Sequence, residues 1–131
     1  MKTLALIAHD NKKVDLVAWA TFNRETLARF GLLATGHTAR LMQDKVGLPV
    51  EPLLSGPEGG DAQIAARVAT RHVDVVFFFV DPLSAQPHDP DIRALLRVCN
   101  VHNVPLATNL ATADLIISAL AGGGPVAAAA P

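Results

Sequence analysis

Short apolar runs of strand length alternate along the chain with stretches whose apolar residues recur every three or four positions. The first kind covers Thr3–Ala8, Gly31–Ala34, Val50–Leu54, Val73–Val80 and Pro105–Thr108. Within the fourth, Val75-Val76-Phe77-Phe78-Phe79-Val80 is apolar without alternation, which predicts a strand covered on both faces. The second kind predicts helices. Val14, Val17 and Ala18 share one face of the first helix, and Ile64, Val68 and His72 share one face of the third. Ile92, Leu95, Leu96 and Cys99 do so in the fourth, and Leu115, Ile116, Ala119 and Leu120 in the last. Strand–helix repetition of this kind implies right-handed βαβ units, hence an α/β fold with a parallel sheet between helical layers.

No shift of composition marks a second domain. The expected division is one α/β domain over residues 1–121 and a low-complexity tail over 122–131, starting at Gly122-Gly123-Gly124-Pro125. With 131 residues, a single domain buries roughly two-thirds of its unfolded surface. Half the residues are apolar and 18% charged, the opposite of the balance that keeps chains disordered. A net charge of −1 without any Lys/Arg run argues against nucleic acid and anionic membrane as partners. The apolar start, Met1 to Ala8, passes at once into His9-Asp10-Asn11-Lys12-Lys13. It is too short to span a bilayer or act as a signal peptide, so a cytoplasmic protein is expected. Cys99 is the only cysteine, so no internal disulfide forms and a Cys-rich zinc site is excluded. Cys99 and Trp19 read as packing residues, and His72 and His102 as helix-end residues without a function.

Open α/β sheets bind ligands beyond the carboxyl ends of their strands, and there the polar residues gather. The first strand ends in His9-Asp10, with Lys13 close behind. The second runs into Thr35-Gly36-His37-Thr38, and the third into Ser55-Gly56-Pro57-Glu58-Gly59-Gly60-Asp61. The fourth ends in Asp81, followed by a loop carrying His88 and Asp91. Thr35-Gly36-His37-Thr38 and Ser55-Gly56 bring hydroxyls and backbone N–H groups to predicted helix starts, a setting that favours phosphate, with Lys13 as a mobile cation. Ordinary helix capping explains each turn taken singly. Asp61 falls in the first turn of a helix, as a cap, a catalytic base, or both, since the helix dipole favours its ionised form. Asp10, Asp81 and Asp91 either join His9 and His88 around a metal or hold those histidines in one tautomer.

These residues resemble the methylglyoxal synthase family. The resemblance rests on His9-Asp10 with Lys13, Thr35-Gly36-x-Thr38, Ser55-Gly56-Pro57-x-Gly59-Gly60-Asp61, and Asp81-Pro82-Leu83 followed by His88-Asp89-Pro90-Asp91. It runs from residue 6 to about residue 109. It implies a Rossmann-like three-layer α/β/α sandwich with a five-stranded parallel sheet, assembled as a homohexamer. It also implies a cofactor-free lyase, with no metal, that turns dihydroxyacetone phosphate into methylglyoxal and inorganic phosphate. On this resemblance Asp61 is the proton-abstracting carboxylate, His88 its acid–base partner, and His9 a substrate contact. Lys13, Thr35, Gly36, His37, Thr38, Ser55 and Gly56 bind the phosphate, while Asp10, Asp81 and Asp91 support the site.

The chain departs from the family pattern twice. Where the family commonly has Thr-Gly-Thr-Thr-Gly, Thr35-Gly36-His37-Thr38-Ala39 stands here, and the consequence turns on whether the ring of His37 enters the site. The tail lacks the arginine that many relatives place there. Three other functions fit parts of the pattern. A regulatory module such as the effector domain of carbamoyl phosphate synthetases needs the two phosphate turns but not Asp61, His88 and Asp91. A magnesium phosphatase needs Asp10, Asp81 and Asp91 together. A phosphorelay receiver needs a lysine after the fifth strand, where Thr108-Asn109 stands.

Overall fold

The computed structural model describes residues 2–86 and 89–122. Five strands, β1 (Thr3–Ala8), β2 (Gly31–Thr35), β3 (Glu51–Leu53), β4 (Val75–Phe79) and β5 (Leu106–Ala107), form one sheet. Their order is β3-β2-β1-β4-β5 and every pairing is parallel. The helices are α1 (Lys13–Phe22), α2 (Arg24–Leu27), α3 (Gly36–Leu41), α4 (Gly60–Ala69), α5 (Asp89–Val101) and α6 (Leu110–Gly122). The expected α/β/α sandwich is thus the architecture observed. Residues 123–131 of the expected tail lie outside the described residues.

The pleat sorts the core into two layers. Leu4, Leu6, Ala8, Val75, Phe77 and Phe79 face one side, where they meet Leu16, Trp19 and Ala20 of α1 and Ala113, Ile117 and Leu120 of α6. Ala5, Ile7, Val76 and Phe78 face the other, against Ile64 and Val68 of α4 and Ile92, Leu95 and Cys99 of α5. The doubly apolar run at 75–80 is explained by this: β4 is central, with no residue of Val75–Phe79 exposed. Trp19 packs its ring 4.8 Å from Phe77 and 5.5 Å from Phe79, centroid to centroid. Burial pushes the Cys99 thiol up to about 11, which leaves it protonated and inert at neutral pH.

Three helix faces differ from the periodicity. In α1 the buried face is Leu16, Trp19 and Ala20, while Val14 is exposed, Ala18 is exposed and Val17 is only half-buried. The run Val14–Ala20 is apolar nearly all round apart from Asp15, so spacing alone cannot choose a face; the indole against Phe77 and Phe79 does. His72 falls beyond α4, exposed on a turn in which Arg71 has φ 64°, and its Nδ1 lies 2.9 Å from the Thr70 hydroxyl. In α6, Leu115 is exposed and Ala113 and Ile117 take the core positions.

The strand order places the switch point between β1 and β4, where connections leave in opposite directions and ligands bind. The two strand ends are stitched there. The His9 N–H donates to the Phe79 carbonyl at 3.1 Å, and the Asp81 N–H donates to His9 Nδ1 at 2.8 Å.

Candidate active site

A cleft of about 210 Å³ opens over the carboxyl ends of β1, β2 and β3. Pockets for drug-sized ligands run to roughly 300–1,000 Å³, so this one suits a smaller molecule. Its walls include His9 and Asp10 from the β1–α1 turn, Lys13 at the start of α1, Thr35 and His37 from the start of α3, Ser55 and Gly56, and Asp61 from α4.

The turns are held together by backbone. The Leu54 carbonyl accepts the Gly36 N–H at 3.2 Å, and the Ser55 carbonyl accepts the Gly60 N–H at 2.8 Å. Gln63 Oε1 accepts the Leu54 N–H at 2.8 Å. Gly59 sits at φ +109°, the left-handed region that glycine adopts without strain. Gly60 lies so close to its neighbours that a Cβ there would stand 2.0 Å from the Leu54 carbonyl and 2.8 Å from Thr35 Cγ2. The double glycine thus lets α4 start against the β2 and β3 turns, which brings Asp61 into the cleft, fully buried at its first turn. A negative charge is favoured at that helix start.

Neither hydroxyl turn caps its helix. Thr35 at the start of α3 and Ser55 at the start of a 3-10 turn, Gly56–Glu58, occupy N-cap positions with extended backbone, yet neither makes a side-chain cap hydrogen bond. Thr35 Oγ1 instead approaches Thr38 Oγ1 at 3.5 Å, and Ser55 Oγ donates to Glu58 Oε1 at 2.7 Å. Capping therefore does not account for these side chains.

The charged groups are ordered. Lys13 Nζ donates to Asp10 Oδ1 at 2.7 Å and approaches His37 Nδ1 at 3.0 Å. The hydrogen bond and charge of Lys13 hold the Asp10 carboxyl below the usual carboxylate range. His9 is buried, its ring edge-on to Phe78 at 5.1 Å. Since Nδ1 accepts a backbone N–H, the neutral ring carries its proton on Nε2.

The remaining expected residues sit behind this wall or apart from it. Thr38 is fully buried, and it and Gly36 belong to the same turn without lining the cleft. The Asp81 carboxylate accepts Asn11 Nδ2 at 2.9 Å and the Leu83 N–H at 3.0 Å. Those two bonds, Asn11 first, lower its pKa. It is the Asp81 backbone, not its carboxylate, that fixes the His9 tautomer. Asp91 lies in the first turn of α5, half-buried and away from the cleft wall. Asp10, Asp81 and Asp91 do not converge, and among the described residues no group of three His, Cys, Asp or Glu is placed to hold a metal ion. His88 lies outside the described residues. Residue type and spacing assign no site role to Asn11, Pro57 or Gln86, although Pro57 stands within the Ser55–Asp61 motif; here Pro57 and Gln86 line the cleft and Asn11 holds Asp81. Asn11 had a signal in the polar run after β1, while Gln86 sits in a loop without any pattern.

Residues 15–108 match the family model described as an MGS-like domain. The methylglyoxal synthase of Thermus thermophilus is 56% identical over 125 residues, 95% of this chain and 99% of that protein. That of Clostridium botulinum is 55% identical over 114 residues, 87% of this chain and 96% of that protein. Among solved structures, the methylglyoxal synthase of Elizabethkingia anophelis superposes with a TM-score of 0.84 at 48% identity, covering 89% of this chain and 77% of that one.

Proposed function

From the premise that this chain belongs to the methylglyoxal synthase family, we propose that it converts dihydroxyacetone phosphate to methylglyoxal and inorganic phosphate without a cofactor. The observation that carries this reading is one small cleft in which a fully buried carboxylate, Asp61, and a buried imidazole, His9, share walls with Lys13, Thr35, Ser55 and Gly56. A carbon acid and its leaving phosphate need those two sets of groups side by side.

In this mechanism Lys13, Thr35, Ser55 and Gly56, backed by Gly36 and Thr38, hold the phosphate. Asp61 removes a proton from the hydroxymethyl carbon, and the negative charge moves to the carbonyl oxygen. The Nε2–H of His9 is the donor for that oxygen, because Nδ1 is occupied by the Asp81 N–H. His88 serves as the second acid–base group. The hydroxyl on the former hydroxymethyl carbon then loses its proton and becomes a carbonyl. The double bond shifts toward the phosphate-bearing carbon, and the C–O bond to phosphate breaks with its electron pair. The resulting enol, whose oxygen took up a proton in the enediol stage, gains a proton on its terminal carbon and loses the one on its oxygen, which gives methylglyoxal. Expulsion needs that C–O bond out of the enediolate plane, so the grip on the phosphate chooses elimination over isomerisation. Asp10, Asp81 and Asp91 act as supports.

Coupled assay of methylglyoxal and free phosphate is expected to show both released in equal amounts from dihydroxyacetone phosphate, with EDTA present. Phosphate without methylglyoxal would point to a phosphatase, and stabilisation by nucleotides but not by the triose phosphate to a regulatory module. Ser55→Ala is expected to weaken inhibition by inorganic phosphate by about tenfold, the cost of roughly one hydrogen bond to a charged group. An unchanged inhibition constant would mean that Ser55 serves only the turn.

We further propose that residues 1–121 are the catalytic domain of a cytoplasmic homohexamer. Among the described residues no helix is long and apolar enough to cross a membrane. Val14 and Phe22 are 80% and 89% exposed, and with the exposed Ala18 between them they lie at helical spacing on one outer face of α1. Such a stripe is suited to burial against another copy. Light scattering is expected to give six chains per particle, and Phe22→Glu a smaller one; a monodisperse monomer would refute the assembly.

A further inference from the structure

Lys13 enters the cleft on a flexible four-carbon stem, and its ammonium has three N–H donors and no acceptor. One donor goes to Asp10 Oδ1 at 2.7 Å. A second is directed at His37 Nδ1, 3.0 Å away and 24 positions along the chain. The third remains for a ligand. The ammonium is thereby gripped from two elements, the turn after β1 and the first turn of α3, and its side chain is only 14% exposed although it stands at a cleft mouth.

The two grips differ in chemistry. Asp10 is an anion, and its charge opposes any phosphate that Lys13 attracts. The His37 nitrogen that takes the ammonium N–H is a lone pair on a neutral ring, so it fixes the cation without adding negative charge beside the anion. With Nδ1 so used, the ring proton is on Nε2. Among the described residues, the charged and titratable groups that line the same cleft beside His37 are Asp10, Lys13, His9 and Asp61. The Asp10 side chain is 91% exposed, so a lysine held by Asp10 alone would be free to follow that carboxylate into solvent.

We propose that His37 is a positioning residue for phosphate binding: through Nδ1 it holds the Lys13 ammonium over the cleft, and it acts on affinity through Lys13 rather than by touching the phosphate. This rests on the reading of the cleft as a phosphate site.

The test is a double-mutant cycle with inorganic phosphate as the probe, read by calorimetry and by its inhibition constant. His37 is exposed, so its variants fold. His37→Ala is expected to weaken phosphate binding by about 3- to 10-fold, the range of one net hydrogen bond. His37→Asn, whose Oδ1 stands near the place of Nδ1, is expected to recover most of that loss. In a Lys13→Ala background, His37→Ala is expected to cost nothing more, because coupled residues are not additive. Unchanged phosphate affinity in His37→Ala, with Lys13→Ala impaired, overturns the role of His37 and leaves the phosphate site standing. An equal loss from His37→Ala with and without Lys13 overturns the route through Lys13. Unchanged affinity in Lys13→Ala overturns the phosphate site itself.

Discussion

Asp61→Asn is expected to fold like the native protein and to lose at least about 10²-fold in kcat, within the 10²–10⁴-fold span of a positioned general base. The substitution keeps the shape of the side chain and its place at the first turn of α4, where Asp61 is fully buried. It removes only the ability to take a proton. Affinity for inorganic phosphate is expected to stay within about 3-fold, since the phosphate groups come from other turns, so the loss falls on kcat rather than on binding. Steady-state kinetics with a phosphate titration and a melting curve separate these outcomes. Near-native turnover would exclude Asp61 as the base. A collapsed melting temperature would instead assign it to the fold, where its buried carboxylate serves the start of α4.

Gly60→Ala is expected to lower stability by about 3 kcal/mol or more, at the upper end of overpacking costs. The added Cβ would stand 2.0 Å from the Leu54 carbonyl oxygen. That oxygen is backbone, and it is already bonded to the Gly36 N–H. Nothing at the contact can rotate aside, so α4 must shift bodily from the two phosphate turns and carry Asp61 with it. Each kcal/mol corresponds to a few degrees in melting temperature for a domain of this size. Trp19 is the only tryptophan and the chain has no tyrosine, so its emission reports unfolding without interference. Gly59→Ala makes the contrast. A Cβ added there would meet nothing within 4 Å beyond its own chain neighbours, and the strain comes only from φ +109°, which costs about 1–2 kcal/mol. Should Gly60→Ala melt like the native protein, the close approach of α4 to Leu54 is not what fixes the site.

Much of the fold was legible because its signals are local. All five strands fall within about two residues of the predicted runs; β1, β2 and β4 are buried along most of their length and so are apolar nearly throughout, while β3 is an exposed edge strand. The start of β4 at Val75 rather than Val73 has a tertiary cause. Asp74 Oδ2 accepts the Thr3 N–H at 2.8 Å, and the Asp74 N–H donates to the Thr3 carbonyl at 2.9 Å, so ladder pairing begins only at Val75. The faces of α1 and α6 were illegible because both helices are apolar nearly all round, and spacing then contains no preferred direction. Leu115 and Val14 are exposed for that reason, and Trp19 decides where α1 sits.

The cleft divides in the same way. Chain order and the rule of strand ends bring Lys13, Thr35, Ser55 and Asp61 to one edge of the sheet. They do not say which of the polar residues face the ligand and which stand behind them. Asp81 is the clearest case: its type and position suggest a charge in the site, whereas the fold turns its carboxylate to Asn11 and Leu83 and uses its backbone N–H on His9.

What the sequence determined by itself is the alternation of strands and helices, the edge at which polar groups meet, and the glycine-rich bend that only a close backbone approach requires. Those follow from periodicity and from residue chemistry, which act over a few neighbouring positions. The tertiary structure decided the buried faces of α1 and α6, the tautomer of His9, and the pairing of Lys13 with a histidine 24 positions away. Each of these is a contact between elements brought together by the sheet order, and no local pattern encodes the distance between atoms on separate elements.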